Sequence, residues 1–248
     1  MGLFLISKNG VGTMTDPQLR LAATAVLLRD TDQGLETLLL RRNAKLAFAA
    51  GAWVFPGGAI DSPEIAAADT QMQAAKVAAV REVEEECGLQ IAEHDLVHFC
   101  NWTTPVGESR RFATWFFVAQ AQRSASDVII DQGEIHEFRW LRPRQAIDLH
   151  YAGELNMMPP TYLSMRLIAH YQTSAEACQR LAVRTPYEVT PVICDSDQGM
   201  ACLYPGDAGY ESLDSALPGP RHRSVFSKRG TEYIHSGADV SEPAMDQP

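Results

Sequence analysis

Residues 81–89 read Arg-Glu-Val-Glu-Glu-Glu-Cys-Gly-Leu, so four carboxylates fall within five positions after an alanine-rich run at 74–80. An α-helix repeats about every 3.6 residues, which stacks Glu86 on Glu82, sets Glu85 beside them and turns Glu84 elsewhere. Val77, Val80, Val83 and Cys87 recur at three- and four-residue spacing and predict a buried stripe opposite the acids. Gly88 suits the left-handed residue that ends a helix. Clustered anions near the negative end of a helix dipole repel one another unless a cation compensates. Hard oxygen donors of this kind suit Mg2+ or Mn2+. The expected chemistry is metal-assisted; a solvated acidic helix end is the plain alternative.

Upstream, Trp53-Val54-Phe55-Pro56-Gly57-Gly58 is a short apolar run broken by proline and two glycines. Gly58, Glu64 after five intervening residues, and then Arg81-Glu82, Glu85-Glu86 and Gly88-Leu89 together resemble the Nudix hydrolase signature in every specified residue type. Residues 65–80 separate Glu64 from Arg81, nine more than that signature usually has. The insertion, 65–73, is expected to lengthen the loop or add a helical turn before the catalytic helix. The resemblance implies an α/β (α+β) fold, a Nudix α/β/α sandwich with a mixed sheet and here an extended C-terminal region. It also implies hydrolysis of a diphosphate linked to another group, with Glu82, Glu85 and Glu86 as metal ligands. Glu82 is then a ligand or the general base, oriented by Arg81, and Glu134 or Glu137 on a later strand are competing bases. Glu64 is expected to brace the glycine loop or the helix. Gly57 and Gly58 let backbone approach the site closely.

Asn101-Trp102-Thr103-Thr104-Pro105, followed by Arg110-Arg111-Phe112-Ala113-Thr114-Trp115-Phe116-Phe117, resembles the Nudix branch that contains the peroxisomal coenzyme A diphosphatases of animals. That branch shares a long insertion in its signature. Asp131 and Glu134 ahead of Trp140, Pro143 with Ala146, Gly153-Glu154 and Pro159-Pro160-Thr161 agree with it, so the similarity spans about residues 20–170. Ala113 stands where the branch often has Asp, and Asp246-Gln247-Pro248 is not a peroxisomal tripeptide. The resemblance implies coenzyme A or acyl-coenzyme A as substrate, giving 3′,5′-ADP and (acyl-)4′-phosphopantetheine. ADP-ribose, a nucleotide sugar or a dinucleotide are the alternatives. A non-catalytic Nudix-like binding module is the alternative of another class, and the intact carboxylate set argues against it. Arg41 and Arg42 at a strand end, and Arg110 and Arg111 beside the 103–105 loop, are candidate phosphate contacts. Phe55, Trp102 and Phe112 are candidates to stack on adenine or line a pantetheine groove, or are simply core.

The elements that must position these residues are short. Apolar runs at 21–28 and 35–40 flank a turn and predict a hairpin; 96–102, 112–119 and 134–141 read as further strands. Helices are expected over 142–150 and 162–181. Residues 1–17 read as an extension, 18–185 as the Nudix domain, 186–235 as a β-rich extension packed on it and 236–248 as a flexible tail. The strand-like runs at 189–194, 200–204 and 222–234 are open to three roles: extending the sheet, covering the site or making a homodimer contact. A formal charge of -10 over 248 residues argues against general nucleic-acid binding and for a small nucleotide-derived diphosphate as partner. No run suggests a membrane span. Five cysteines without paired spacing suggest reduced thiols and a cytoplasmic setting rather than zinc.

Overall fold

The computed structural model describes residues 19–45, 49–121, 128–131, 133–227, 230–237 and 244–248; the extension expected at 1–17 lies outside them. Strands β1 (Arg20–Thr31) and β2 (Gly34–Arg42) form the expected hairpin. Both are apolar on both faces because both faces are covered. Ala23, Ala25, Leu27, Leu38 and Leu40 pack to one side, Val26, Leu28 and Leu39 to the other. Short strands β3 (Trp53–Val54) and β4 (Gly57–Ala59) pair with β2 and β1. Strands β5 (Val97–Thr103), β6 (Phe112–Gln120), β7 (Ile135–Leu141) and β8 (Tyr187–Val189) complete a sheet of order β3-β2-β1-β6-β5-β8, with β4 on β1 and β7 on β2. The sheet is mixed: β1 with β6 and β5 with β8 run parallel.

The carboxylate helix, α2 (Gln71–Cys87), lies on one face. Thr70 caps its start, accepting from Gln73 N at 3.1 Å, and Gly88 ends it at φ 67° with its N–H on Glu84 O. Its buried stripe is Ala74, Ala75, Ala78, Ala79, Val83 and Cys87, whereas Val77 and Val80 are only half-buried. The expected valine stripe is therefore rotated toward the alanines, whose small side chains let the helix lie close to β1 and β4. The same rotation carries Glu86 to the edge of the buried side. Residues 65–73 supply the second half of α1 (Ser62–Ala67), a short connection and the first residues of α2, so the insertion both lengthens the connection and adds helix.

The other face is covered by α3 (Pro143–Tyr151), α4 (Pro159–Ile168) and α5 (Ser174–Val183). A single helix was expected over 162–181; the chain instead breaks at 169–173. Thr173 caps α5, accepting from Glu176 N at 3.1 Å, and Ser174 gives its N–H and its hydroxyl to Asp30 at 2.8 and 2.6 Å. A capping threonine followed three residues later by glutamate starts a new helix more cheaply than it continues an old one.

The C-terminal runs form a second sheet, β12-β11-β10-β9, from β9 (Val192–Ser196), β10 (Gly199–Leu203), β11 (Arg221–Ser227) and β12 (Gly230–Ser236). The stretch 222–234 is a hairpin rather than one strand. Tyr204 and Tyr233 join the apolar cluster of Trp102 and α4, as does Met245. The chain end expected to fray is thus held at 245–246: Met245 is buried and Asp246 accepts from Arg166 Nε at 2.7 Å. All five cysteines are unpaired thiols, and no helix among the described residues is long and apolar enough to cross a membrane.

Asp207 ties this region together. Its carboxylate takes Arg223 Nε and Nη2 at 2.7 and 2.6 Å and the N–H groups of Gly209 and His222, with the two side chains 0% and 7% exposed. Burial works against the charge, but Arg223 and the two amides outweigh it and hold the carboxyl below its ordinary range. The stability this contributes is present above the ordinary aspartate pKa and is lost as pH falls through the lowered value. Asp207→Asn is expected to cost about 3–5 kcal/mol at pH 7, because it strands a buried guanidinium. Urea unfolding of that variant and of the double variant Asp207→Leu/Arg223→Met checks this: the double variant should recover part of the loss, the remainder reflecting the Gly209 and His222 amides left without an acceptor.

Candidate active site

Arg81 is the hub of the acidic cluster. Its Nε donates to Glu64 Oε1 at 2.8 Å, its Nη1 to Glu82 Oε1 at 2.8 Å and Glu85 Oε2 at 3.0 Å, and its Nη2 to Ala59 O at 3.0 Å. One guanidinium therefore serves three carboxylates and the carbonyl of the glycine loop. Glu64 sits in α1, accepts from Asp61 N as well, and is held below the ordinary carboxylate range because these partners outweigh its burial. It braces, as expected. Glu82 goes the other way: burial pushes it up, and Arg81, already shared, does not fully offset that.

Glu86 is 6% exposed and has no arginine of its own. Gly57 N donates to its Oε2 at 2.9 Å. Burial is the main reason its carboxyl is pushed up to about 8; Gly57 N–H and Arg42 pull it down, and Glu82 and Glu134 push it further up. The loop's glycines make this packing possible. A Cβ on Gly57 would collide with Ala23 O, and one on Gly58 with the carboxylate of Glu82.

A cavity of about 880 Å³ opens beside these groups and is lined by Glu82, Glu85, Glu86, Gly57, Gly58 and Phe55. Trp102, Phe112, Arg42 and Glu134 line it too, so the structure gathers most of the predicted residues. Phe55 and Trp102 are also core, at 3% and 4% exposure. Arg42 Nη2 meets Glu134 Oε2 at 3.2 Å at the cavity wall, while Asp131 accepts from the N–H groups of Glu134 and Ile135 and sets the start of β7. Arg41 instead pairs with Glu137 at 3.1 Å, and Glu137 also takes Arg139, which together outweigh burial and hold it below the ordinary range.

Arg110 and Arg111 are not among the cavity's lining. Arg111 is 8% exposed and its Nε donates to Thr104 O at 3.2 Å, so it shapes the loop that was expected to present it; Arg110 points to solvent. Arg20 was missed: it pairs with Phe112 in the parallel β1–β6 register and lines the cavity. So do Met157, Met158, Ile193, Met200 and Phe226. Nothing in their spacing marks them, since pairing and packing alone bring them there.

Among the described residues, no three His, Cys, Asp or Glu side chains already converge as a finished metal cage, because Arg81 engages Glu82 and Glu85 while Gly57 engages Glu86. The donor set nevertheless fits a hard divalent ion. It is all oxygen, carries more negative charge than Arg81 neutralises, and includes a buried carboxylate whose charge lacks a partner.

The NUDIX domain profile matches residues 18–160. A Caenorhabditis elegans protein carrying the name nudix hydrolase 7 is 22% identical over 262 residues, covering 90% of this chain and 86% of that protein. Acyl-coenzyme A diphosphatase NUDT19 of Xenopus laevis is 28% identical over 156 residues, 56% of this chain and 38% of its own length. The human protein of that name is 26% identical over 141 residues, 53% and 37% respectively. The chain thus spans under two fifths of these two relatives. A crystal structure of a NUDIX hydrolase from Alicyclobacillus acidocaldarius superposes with a TM-score of 0.61 at 22% identity, over 68% of this chain and 99% of that one, and shares the fold. With its profile spanning more than half of the residues and its fold shared, the chain belongs to the NUDIX domain family and is a Nudix hydrolase that acts on a diphosphate substrate.

Proposed function

We propose that this Nudix hydrolase cuts the diphosphate of coenzyme A or an acyl-coenzyme A, releasing 3′,5′-ADP and (acyl-)4′-phosphopantetheine. The observation that carries this is the mostly apolar lining of the cavity, to which Met157, Met158, Pro159, Pro160, Ile193 and Phe226 contribute. A sugar hydroxyl set against these apolar side chains, rather than against Asn156, Thr161 or Thr231, which also line the cavity, would lose water at a cost of about 1–3 kcal/mol if left unsatisfied. A pantetheine arm offers long apolar stretches to such a wall, and methionines adapt to it. The similarity to the two NUDT19 proteins, over about half of this chain, supports the same arm.

In this reading, Glu82, Glu85 and Glu86 hold the divalent ion, Mg2+ or Mn2+, which neutralises diphosphate oxygens and acidifies water. Arg81 keeps two of these acids aimed and ties them to the glycine loop. Glu134 is the favoured base: it lines the cavity and its side chain is 60% exposed, so it can accept a proton from water. Glu137 is committed to Arg41 and Arg139. Arg20 and Arg42, rather than Arg110 and Arg111, are the cations for substrate phosphate.

Coenzyme A is expected to exceed ADP-ribose and UDP-glucose in kcat/KM by about tenfold or more. Assays of the three with Mg2+ and with Mn2+ test this, and the reverse order overturns it. Glu86→Gln should lower hydrolysis on the order of a hundredfold or more. In chelator its thermal unfolding temperature should stay level or rise, because burial already disfavours the charged carboxylate and a neutral amide can still accept from Gly57 N. Undiminished turnover in that variant would sink the metal assignment. Glu134→Gln should lower kcat by about a hundredfold and Glu137→Gln by only a few-fold; equal effects would end the choice between them.

A further inference from the structure

The second sheet lies outside the family match, which ends at residue 160, yet it reaches the cavity. Its register shows how. Met200 pairs with Phe226, Phe226 with Thr231, and Cys202 with Ile193. Side chains two apart on a strand, and partners directly across, share a face. Ile193, Cys202, Met200, Phe226 and Thr231 therefore form one face, and all five line the cavity. The alternate positions, Cys194, Ala201, Leu203 and Val225, turn away into a small core of their own with Tyr210. On the other side Cys202 joins the main core, with Ile193 and Phe226 packed at its margin. Met200 and Phe226 are nevertheless only half-buried and point into the space that Glu82 and Glu86 also line.

We infer that this face of the C-terminal sheet is the seat of the acyl chain, and that it makes acyl-coenzyme A a better substrate than coenzyme A itself. The inference rests on the coenzyme A reading above. Asp195, across from Met200, shares the face but is exposed and outside the cavity's lining. The sheet's lining residues carry no charge, so a thioester-linked hydrocarbon chain buries its methylenes there against a thioether, a phenyl ring and an isoleucine, at about fourfold in affinity per methylene. An unacylated thiol leaves that face wet.

His150 positions the wall. It is buried in α3, with Nδ1 2.9 Å from Leu155 O and Nε2 accepting from Thr231 N at 3.0 Å. The tautomer protonated on Nδ1 serves both. One ring thus joins the connection that carries Met157 and Met158 to the hairpin that carries Thr231 and Phe226, and so sets the distance between two walls of the cavity. Gly230 fits against this ring at φ 107°, where a side chain would be strained.

The test measures kcat/KM of the full chain for coenzyme A, acetyl-, octanoyl- and palmitoyl-coenzyme A and ADP-ribose. In wild type the ratio of octanoyl-coenzyme A to coenzyme A should be about tenfold or more. It should fall toward one in Phe226→Ala and Met200→Gln, mainly through KM. His150→Ala should lower it too, with partial rescue by His150→Gln, whose amide oxygen can accept from Thr231 N. Glu232→Ala, an exposed position of β12, should keep the wild-type ratio. Coenzyme A cleaved with a wild-type ratio near one, or a high ratio unmoved by Phe226→Ala and Met200→Gln in folded protein, overturns the acyl seat and leaves the coenzyme A reading standing. Coenzyme A and its acyl forms all resisting while ADP-ribose is cut overturns both.

Discussion

Arg81 divides one positive charge among Glu64, Glu82, Glu85 and the carbonyl of Ala59. These partners belong to three different pieces of chain: the inserted helix α1, the carboxylate helix α2 and strand β4 after the glycine loop. A planar fork with five donors is the side chain that can hold all three at once. Without it, Glu82 and Glu85 at the negative end of α2 and Glu64 beside them on α1 would face one another uncompensated. Its single charge does not neutralise them, so the cluster keeps a net negative charge, which is the basis for the proposed divalent ion.

The rest of the fold supports that compromise. The alanine face of α2 lets the helix sit low on β1 and β4, and this closeness brings Glu86 within reach of Gly57 N. Glycine is required at 57, where backbone occupies the space a Cβ would need, and a Cβ at 58 would displace the Glu82 carboxylate. Burying Glu86 is costly, and the apolar cores on both sheet faces supply the stability against which that cost is set.

In the proposed reading, substrate choice is built on other elements. The metal-binding acids come from α2 and the proposed base, Glu134, from the residue just before β7, while the apolar wall comes from residues 157–160 and from β9–β11 far along the chain. Catalysis and selection would then rest on separate segments that meet in one cavity. Such a division lets an arm-binding wall change without disturbing the carboxylates.

The carboxylate helix, its glycine cap, the hairpin of β1 and β2 and the role of Glu64 as a brace were all legible in the sequence, because each depends on neighbours a few residues apart. Periodicity and capping chemistry are local. The break between α4 and α5 was also written there, in Thr173 and Glu176, but was outweighed by a long apolar pattern. What the sequence could not reveal depends on contacts between distant segments. Arg110 and Arg111 looked like phosphate contacts by adjacency; only the folded loop shows Arg111 buried against Thr104, while the parallel pairing of β1 with β6 puts Arg20 at the cavity instead. Glu134 was preferred over its competitor Glu137 in the sequence, but only the β2–β7 register shows each with a different arginine and Glu134 alone of the two in the wall. The C-terminal runs read as strands without a place; pairing among themselves fixed which alternate residues face the cavity, since a one-residue shift in register would have turned the other face inward.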